Sequence, residues 1–398
     1  MDQATDIYPA SRDAIVVIAA GAGQLPVIKA VQAAGYAAIA VDRNCDAPGL
    51  TVADYAITES TYDTGAVLSA LQDIDGNFKL KGVLARTSAR AALLTASAIC
   101  EEFSLPGLTP ALIDIATIKT SLADFCQTQR IATPKSLPVG SFGAGSENSV
   151  FPDHLSGNFI VKPDVTDAGK AQIRLCHDMQ EYHDALVDAR AVSPNGAAVM
   201  QEFIDGQDIT CLCLADHGRA HIMATWDELV GITDAGHIVG LGVALPALTA
   251  PDKTAAQTTI ADITAQIVAK FPESRGLMLL SYRVTPDNRA FLIEIHIDLG
   301  GDQIADLLLP ASAPEFDYFD LAVKVATGTP INLADRSSAP DWQLAAILYR
   351  DDGPPDVLVD DHELADLPKH IARSAKDRGF NLAHVPQSSL QIKHREMA

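Results

Sequence analysis

The sequence has no CxxC pair, no basic leader, and no apolar run approaching the ~18 to 20 residues a membrane helix needs. Its first twenty residues, MDQATDIYPASRDAIVVIAA, lack the positive region of a secretory signal, and their short apolar run flows straight into GAGQ. These absences set the expectation of a soluble, cytoplasmic protein. Basic residues are scarce too: 29 Lys and Arg stand against 51 Asp and Glu, a formal charge of -22. A surface of that sign repels phosphate backbones and anionic lipid, so neither nucleic acid nor membrane is an expected partner. The six cysteines (Cys45, Cys100, Cys126, Cys176, Cys211 and Cys213) are expected to be reduced in a large cytosolic chain. Cys211 and Cys213 share one strand face in QDITCLCLAD, and with no His or Cys at ligand spacing they read as buried thiols rather than a zinc site. There is no internal repeat.

What is present is enough for two or three packed domains: 398 residues exceed what one hydrophobic core usually serves. With 48% apolar and 20% charged residues, the chain groups with folded proteins rather than disordered ones. The first third alternates strand and helix: AIVVIAA (14–20), then LPVIKAVQAAGY with Gly35 as its stop, then AAIAVD, and later GVLAR before the helix ARAALLTASAICEEF. That alternation predicts a parallel, doubly wound sheet. Beyond residue 109 the spacing predicts a helix, ALIDIATIKTSLADFCQTQR, and a surface loop at 140–149. A small α+β unit follows (NFIVKPD, AQIRLC, MQEYHDALVDAR, AAVMQEFI), then an antiparallel set (DITCLCLAD, RAHIMATWDEL, GLMLLSYRV, RAFLIEIHID). The last 60 or so residues hold short strands and a helix, KHIARSAKDRGF, enough for a small module.

Several constellations point to chemistry, each beside an ordinary structural alternative. GAGQLP follows a strand, opens a helix, and has Asp42 about 20 residues on, as a dinucleotide fingerprint would, yet Pro26 stands where the third glycine belongs. The simpler reading is a tight strand-to-helix turn in which Gly21, Gly23 and Gln24 meet an anionic part of a small substrate. Arg86 and Arg90, just after a strand's C-terminal end, are candidates for the same role. Lys162 closes an apolar strand beside Pro163 and a loop holding Gly169 and Lys170, well placed for phosphate oxygens or simply for solvent. In QEFIDGQDIT, Glu202 and Asp208 flank a turn where acids suit a nucleotide's amino group and ribose hydroxyls. In FLIEIHIDLGGD, Glu294, His296 and Asp298 fall on one face of an apolar strand, and Ser281 and Arg283 on one face of its hairpin partner. Burying an unpaired carboxylate costs several kcal/mol, so a hard cation or cationic partner is the physical reason to place one there.

Taken in order, these segments resemble the ATP-grasp superfamily over residues 14–330, closest to carboxylate-amine ligases of the amino-acid-ligase, biotin-carboxylase-like and purine-biosynthetic kinds. The resemblance rests on Lys119 in ATIKTSLADF, Lys162 in FIVKP, the acidic hinge QEFIDGQD, and EIHIDLGGD, which is close to E-I-N-P-R-x-G-G-D. It implies an α/β and α+β architecture: a Rossmann-like domain (1–108), an ATP-grasp domain (109–330) with a small lid (133–200), and a C-terminal β-rich module (331–398). It implies ATP with Mg2+ or Mn2+ as cofactors, and an ADP-forming reaction in which a small-molecule carboxylate becomes an acyl phosphate for attack by an amine or similar nucleophile. Many relatives are homodimers, which sets that expectation here. On this resemblance Lys119, Lys162, Gly169, Lys170, Glu202, Phe203, Ile204 and Asp208 hold the nucleotide and Glu294 holds the metal. Trp226, Asp227 and His237, in a loop expected at 225–246, join the substrate candidates.

The departures are as specific as the likeness. Ser281 replaces an acid or amide, His296 an asparagine, Asp298 an arginine, and the lid loop keeps only one glycine, Gly169. Three readings remain: a ligase with a rebuilt site, in which His296 and Asp298 join Glu294 on the metal and Arg283 supplies the lost cation; a fold that binds a small molecule without phosphoryl transfer; and, least favoured because of Pro26, a dehydrogenase.

Overall fold

The computed structural model describes residues 11–139, 158–165, 172–247, 253–297, 303–331 and 341–378. Gly169, Lys170 and Asp298 lie outside the described residues. Contacts divide the chain into two units. The first runs through Pro110 and regains Ser274–Gly276 and Asp317–Asn332; the rest forms the second.

The first unit is built on a parallel sheet of β1 (Arg12–Ile18), β2 (Ala37–Val41), β3 (Tyr55–Ile57) and β4 (Phe78–Ala85), in the order β3-β2-β1-β4. Parallel strands covered on both faces read as unbroken apolar runs, and AIVVI of β1 is fully buried. Its alternate residues feed two cores: Ala14, Val16 and Ile18 enter one, Ile15 and Val17 the other. Val323, on the helix Tyr318–Ala326, packs into the second core. That helix starts where Asp317 accepts from the backbone N–H of Phe319 and Asp320. A division into consecutive stretches does not provide for this return of the chain.

The second unit holds two antiparallel layers. The smaller sheet, in the stretch expected as a lid and called the lid sheet below, is β5 (Ser136–Val139), β6 (Phe159–Pro163), β7 (Arg174–Cys176) and β8 (Ala198–Glu202), ordered β5-β8-β6-β7. On it lies the helix Met179–Val192, whose Tyr182, Ala185, Leu186 and Ala189 recur at helical spacing and share a core with Phe159, Val161 and Met200. The large sheet comprises β9 (Gln207–Asp216), β10 (Arg219–Ile232), β11 (Ile238–Leu245), β12 (Arg275–Val284), β13 (Ala290–His296), β14 (Ala345–Leu348) and β15 (Asp356–Leu358), ordered β13-β12-β9-β10-β11-β14-β15. The C-terminal segment is therefore continuous with this sheet. Leu367, Ile371 and Ala375 of the helix Leu367–Asp377, spaced four apart, pack against Leu229, Leu241 and Ala346 beneath it.

Residues 225–246, expected as a loop, are mostly the β10–β11 hairpin. Its tip meets the lid: Leu175 N donates to Gly236 O at 2.8 Å, and Ile238 N to Ile173 O at 3.0 Å. Gly236 has φ +81°, and a Cβ there would stand 2.3 Å from Leu175 O. The β12–β13 turn forms as TPDN suggests, with Asn288 in the left-handed region at φ 64°. All six cysteines are unpaired, five of them buried. Among the described residues no helix is long and apolar enough to cross a membrane.

Candidate functional site

The lid sheet and large sheet are joined at residues 203–206, between β8 and β9, and a cleft opens at this hinge. Gly206 belongs there because the backbone passes so close to β12 that a Cβ would lie 2.3 Å from Val284 O. Lys162 and Glu202 from the lid face Asp208, Ser281, Arg283 and Glu294 from the large sheet across the cleft.

Lys162, on β6, is only 3% exposed. Burial lowers its pKa to about 8; Glu294 opposes the shift, while Lys119 and Arg283 add to it. Lys119 opens the helix Lys119–Gln129 and is likewise lowered by burial, against the pull of Glu294 and Asp164. Asp164, which the sequence reading passed over, ties the two lysines' elements together. Two residues after Lys162, it accepts from Lys119 N through its carbonyl (3.0 Å) and from Thr120 N (2.8 Å) and Asn195 Nδ2 (2.7 Å) through its carboxylate.

Glu294 sits at the same end. Burial would raise its pKa, but the His296 ring, hydrogen-bonded to it at 3.2 Å, together with Lys162 and Lys119, holds it far below the usual carboxylate range. It is therefore an ionised carboxylate in a partly buried setting. Ser281 is its direct cross-strand partner. The register slips by one residue just beyond that pair, so the neighbours Ile293 and Glu294 both line the cleft, which simple alternation along β13 does not predict.

The other end of the cleft is self-satisfied. Arg283 donates from Nε and Nη2 to the two carboxylate oxygens of Asp208 (Nη2–Oδ2 2.8 Å), from Nη1 to Ile204 O at 2.9 Å, and lies 5.4 Å from the Phe203 ring centre. Arg283 and Asp208 side chains are 11% and 15% exposed. Arg283 was expected to supply a cation to the reacting centre, and Asp208 to hold a ribose; instead each occupies the other. Glu202 lines the cleft with its carboxylate toward Lys135 N.

Two further polar groups here, Glu228 and Thr210, were missed. Glu228 Oε1 accepts from Thr210 Oγ1 at 3.0 Å and from Trp226 Nε1 at 3.2 Å, and Thr210 Oγ1 bonds Ser281 Oγ at 2.8 Å. RAHIMATWDEL reads as a strand, whose alternation puts Trp226 and Glu228 on one face, but their meeting with Thr210 and Ser281 depends on pairing across three strands. Trp226 and Asp227 themselves are fully buried and do not line an open pocket. His237 sits at the hairpin tip, bridged to Arg174 of β7.

In the first unit, Gly21, Gly23 and Gln24 form a short turn after β1. Gln24 Nε2 donates to Arg86 O and Arg86 Nη1 to Gly23 O, both at 2.8 Å, with the Arg86 guanidinium over Phe319. Arg90 opens the helix Arg90–Glu102. Asp42, which a dinucleotide site needs for a ribose, accepts instead from Ala20 N and Asn44 N at 2.9 Å. That geometry removes support from the dehydrogenase reading.

Of the expected metal set of Glu294, His296 and Asp298, the last lies outside the described residues, among which no three His, Cys, Asp or Glu side chains cluster for an ion. A divalent cation carried by phosphates makes a smaller demand: Mg2+ usually takes one or two protein carboxylates and completes its shell with phosphate oxygens and water. The ionised Glu294, with the Ser281 hydroxyl opposite, fits that role and not a closed protein cage.

Neither a protein-family model nor a curated protein sequence matches the chain. Solved structures do. An L-amino acid ligase from Bacillus licheniformis is similar with a TM-score of 0.70 at 15% identity, over 92% of this chain and 98% of that one. Phosphoribosylglycinamide synthetase from Anaerococcus prevotii is similar with a TM-score of 0.63 at 15% identity, over 91% and 98%. A biotin carboxylase complex from Campylobacter jejuni follows with 0.62 at 16% identity, over 84% and 75%. These are ATP-grasp carboxylate-amine ligases. The chain has the ATP-grasp fold. At such identities the likeness is one of fold, and the chemistry rests on the cleft's own residues.

Proposed function

We propose that this ATP-grasp protein is an ATP-dependent, ADP-forming ligase that activates a small-molecule carboxylate for attack by an amine or similar nucleophile. The observation that carries this reading is the charge arrangement at one end of the hinge cleft: Lys162 buried in the lid, Lys119 at a helix start, and ionised Glu294 facing them. Two cations kept in a desolvated place cost stability, and phosphate oxygens are the partners that offset that cost. A bound nucleotide with its divalent cation would supply the transferable phosphoryl group and the charge that polarises it. The chain's part is to neutralise phosphate charge through Lys162 and Lys119, to place a cation through Glu294 and Ser281, and to keep water out under the lid sheet.

One observation favours a second reading, nucleotide binding without transfer: Arg283, the cation expected at the reacting centre, is already paired with Asp208. Isothermal titration of ATP with Mg2+ or Mn2+ tests both. Binding by the wild type, lost in Lys162→Ala, is expected; absence of binding at millimolar nucleotide with either metal refutes both. ADP release that depends on an added carboxylate selects the ligase, AMP release rejects the acyl-phosphate route, and binding with no turnover across carboxylates selects the second reading.

A further inference from the structure

The cleft's unexpected feature is the polar row that crosses the large sheet from Ser281 on β12 through Thr210 on β9 to Glu228 on β10. Its proton count is determined. Thr210 has one hydroxyl proton, and Glu228 Oε1, which takes both that proton at 3.0 Å and the Trp226 indole N–H at 3.2 Å, is an acceptor. The 2.8 Å bond between Thr210 and Ser281 must then use the Ser281 proton. Ser281 Oγ, whose cross-strand neighbour is Glu294, is left toward the cleft with lone pairs alone.

An oxygen fixed in that state repels a phosphate oxygen, to which a rotating serine would donate, and suits a cation. The row is also held in place: Thr210 is 1% exposed and Trp226 fully buried, and Glu228, which itself lines the cleft, is tied by hydrogen bonds from both. Each donor in the series points toward Glu228, so the carboxylate's negative charge is passed along two hydroxyl dipoles and increases electron density on Ser281 Oγ.

We propose that Ser281 is a cation ligand beside Glu294, and that Glu228, acting through Thr210, is the positioning residue that makes it one: a carboxylate moved two strands away and coupled back through hydroxyls. The assignment rests on the nucleotide-binding reading of the cleft. It accounts for a Thr, a Glu and an indole N–H aligned behind Ser281.

The test is Mn2+ binding to the protein–ADP complex, followed by electron paramagnetic resonance of free Mn2+, beside ADP binding in EDTA. Removing an outer partner of a metal ligand typically weakens the metal by about 10-fold to 100-fold, so Thr210→Val and Glu228→Gln are each expected to weaken Mn2+ by about tenfold. Thr210→Ser, which restores the hydroxyl, is expected to bind Mn2+ as the wild type does. Metal-free ADP affinity is expected to stay unchanged in all three, while Thr210→Val, which leaves hydrogen-bond partners unmet, is expected to lower the unfolding midpoint as well. In a Ser281→Asp background, where the ligand carries its own charge, Glu228→Gln is expected to lose its effect. Equal weakening of Mn2+ and metal-free ADP, or wild-type Mn2+ affinity in Thr210→Val, overturns the proposal while leaving nucleotide binding intact. A wild-type protein that binds no ADP in either condition overturns the reading of the cleft, and this proposal with it.

Discussion

The two ends of the hinge cleft handle buried charge in opposite ways. At the Asp208 end, an arginine and a carboxylate satisfy each other in a forked pair, the arginine adds a hinge carbonyl and an aromatic face, and the charge is closed upon itself. At the Lys162 end the lysines and Glu294 are held in one another's field, and burial still depresses Lys162 to about 8. Paired charge of the first kind makes the hinge a defined joint. Incompletely compensated charge of the second kind weakens the empty protein and strengthens its hold on an anion. Stability and affinity should therefore respond in opposite senses at the two ends.

The sharpest break is expected at the paired end. Arg283→Ala leaves Asp208 mostly buried without its fork, and breaking a buried pair from one side costs about 3–5 kcal/mol. Urea unfolding should show that loss, and Arg283→Met with Asp208→Leu should recover most of it, because packed apolar side chains replace a buried pair at little cost. If the single substitution is neutral, the hinge does not depend on the pair.

At the other end, Lys162→Met should reverse the pattern. Removing a desolvated ammonium is expected to leave the unfolding midpoint level or raise it, while nucleotide affinity falls by about 2–3 kcal/mol, the scale of a charge-assisted contact. Calorimetry and urea unfolding on the same samples give the two signs. A variant that lost stability and affinity together would place Lys162 with the paired end.

The hairpin tip offers a smaller test of whether the lid depends on its β7 latch. Gly236→Ala combines a left-handed backbone with a Cβ directed at Leu175 O. About 2 kcal/mol is expected, from the left-handed penalty and the contact together. Hydrogen exchange should show the loss at Leu175 and Ile238, whose amides make the bridge. Unchanged protection there would mean that the lid holds without it.

Much of this architecture was legible in the chain. AIVVI announced a strand buried on both faces, and the ordered appearance of Lys119, Lys162, the QEFIDGQD hinge and Glu294 carried the fold. What stayed hidden depended on non-local pairing. Nothing near Arg283 in sequence says that its partner is Asp208, 75 residues away. The helix Tyr318–Ala326 belongs with the first sheet because Val323 fits a core formed by residues near the start of the chain. Glu228 escaped although its strand was legible, because its partners Thr210 and Ser281 come from neighbouring strands 18 and more residues away. The slip beside Ser281, which turns both Ile293 and Glu294 into the cleft, leaves no mark in alternation at all.

The finest distinction between the two ends is in their protons. Lys162 titrates near 8 in the empty protein because burial disfavours its charge, and bound phosphate must raise that value by favouring the charged form. Nucleotide binding should therefore take up protons, with affinity highest below about pH 8 and falling as pH rises through that value. At pH 8 the lysine is about half protonated, so uptake near half a proton per nucleotide is expected, shrinking to about a tenth at pH 7. Calorimetry in buffers of different ionisation enthalpy measures it directly. Lys162→Arg keeps its charge throughout this range and should bind with little or no uptake near pH 8. Uptake that survived in Lys162→Arg would assign the proton to another group and remove the main physical distinction between the two ends.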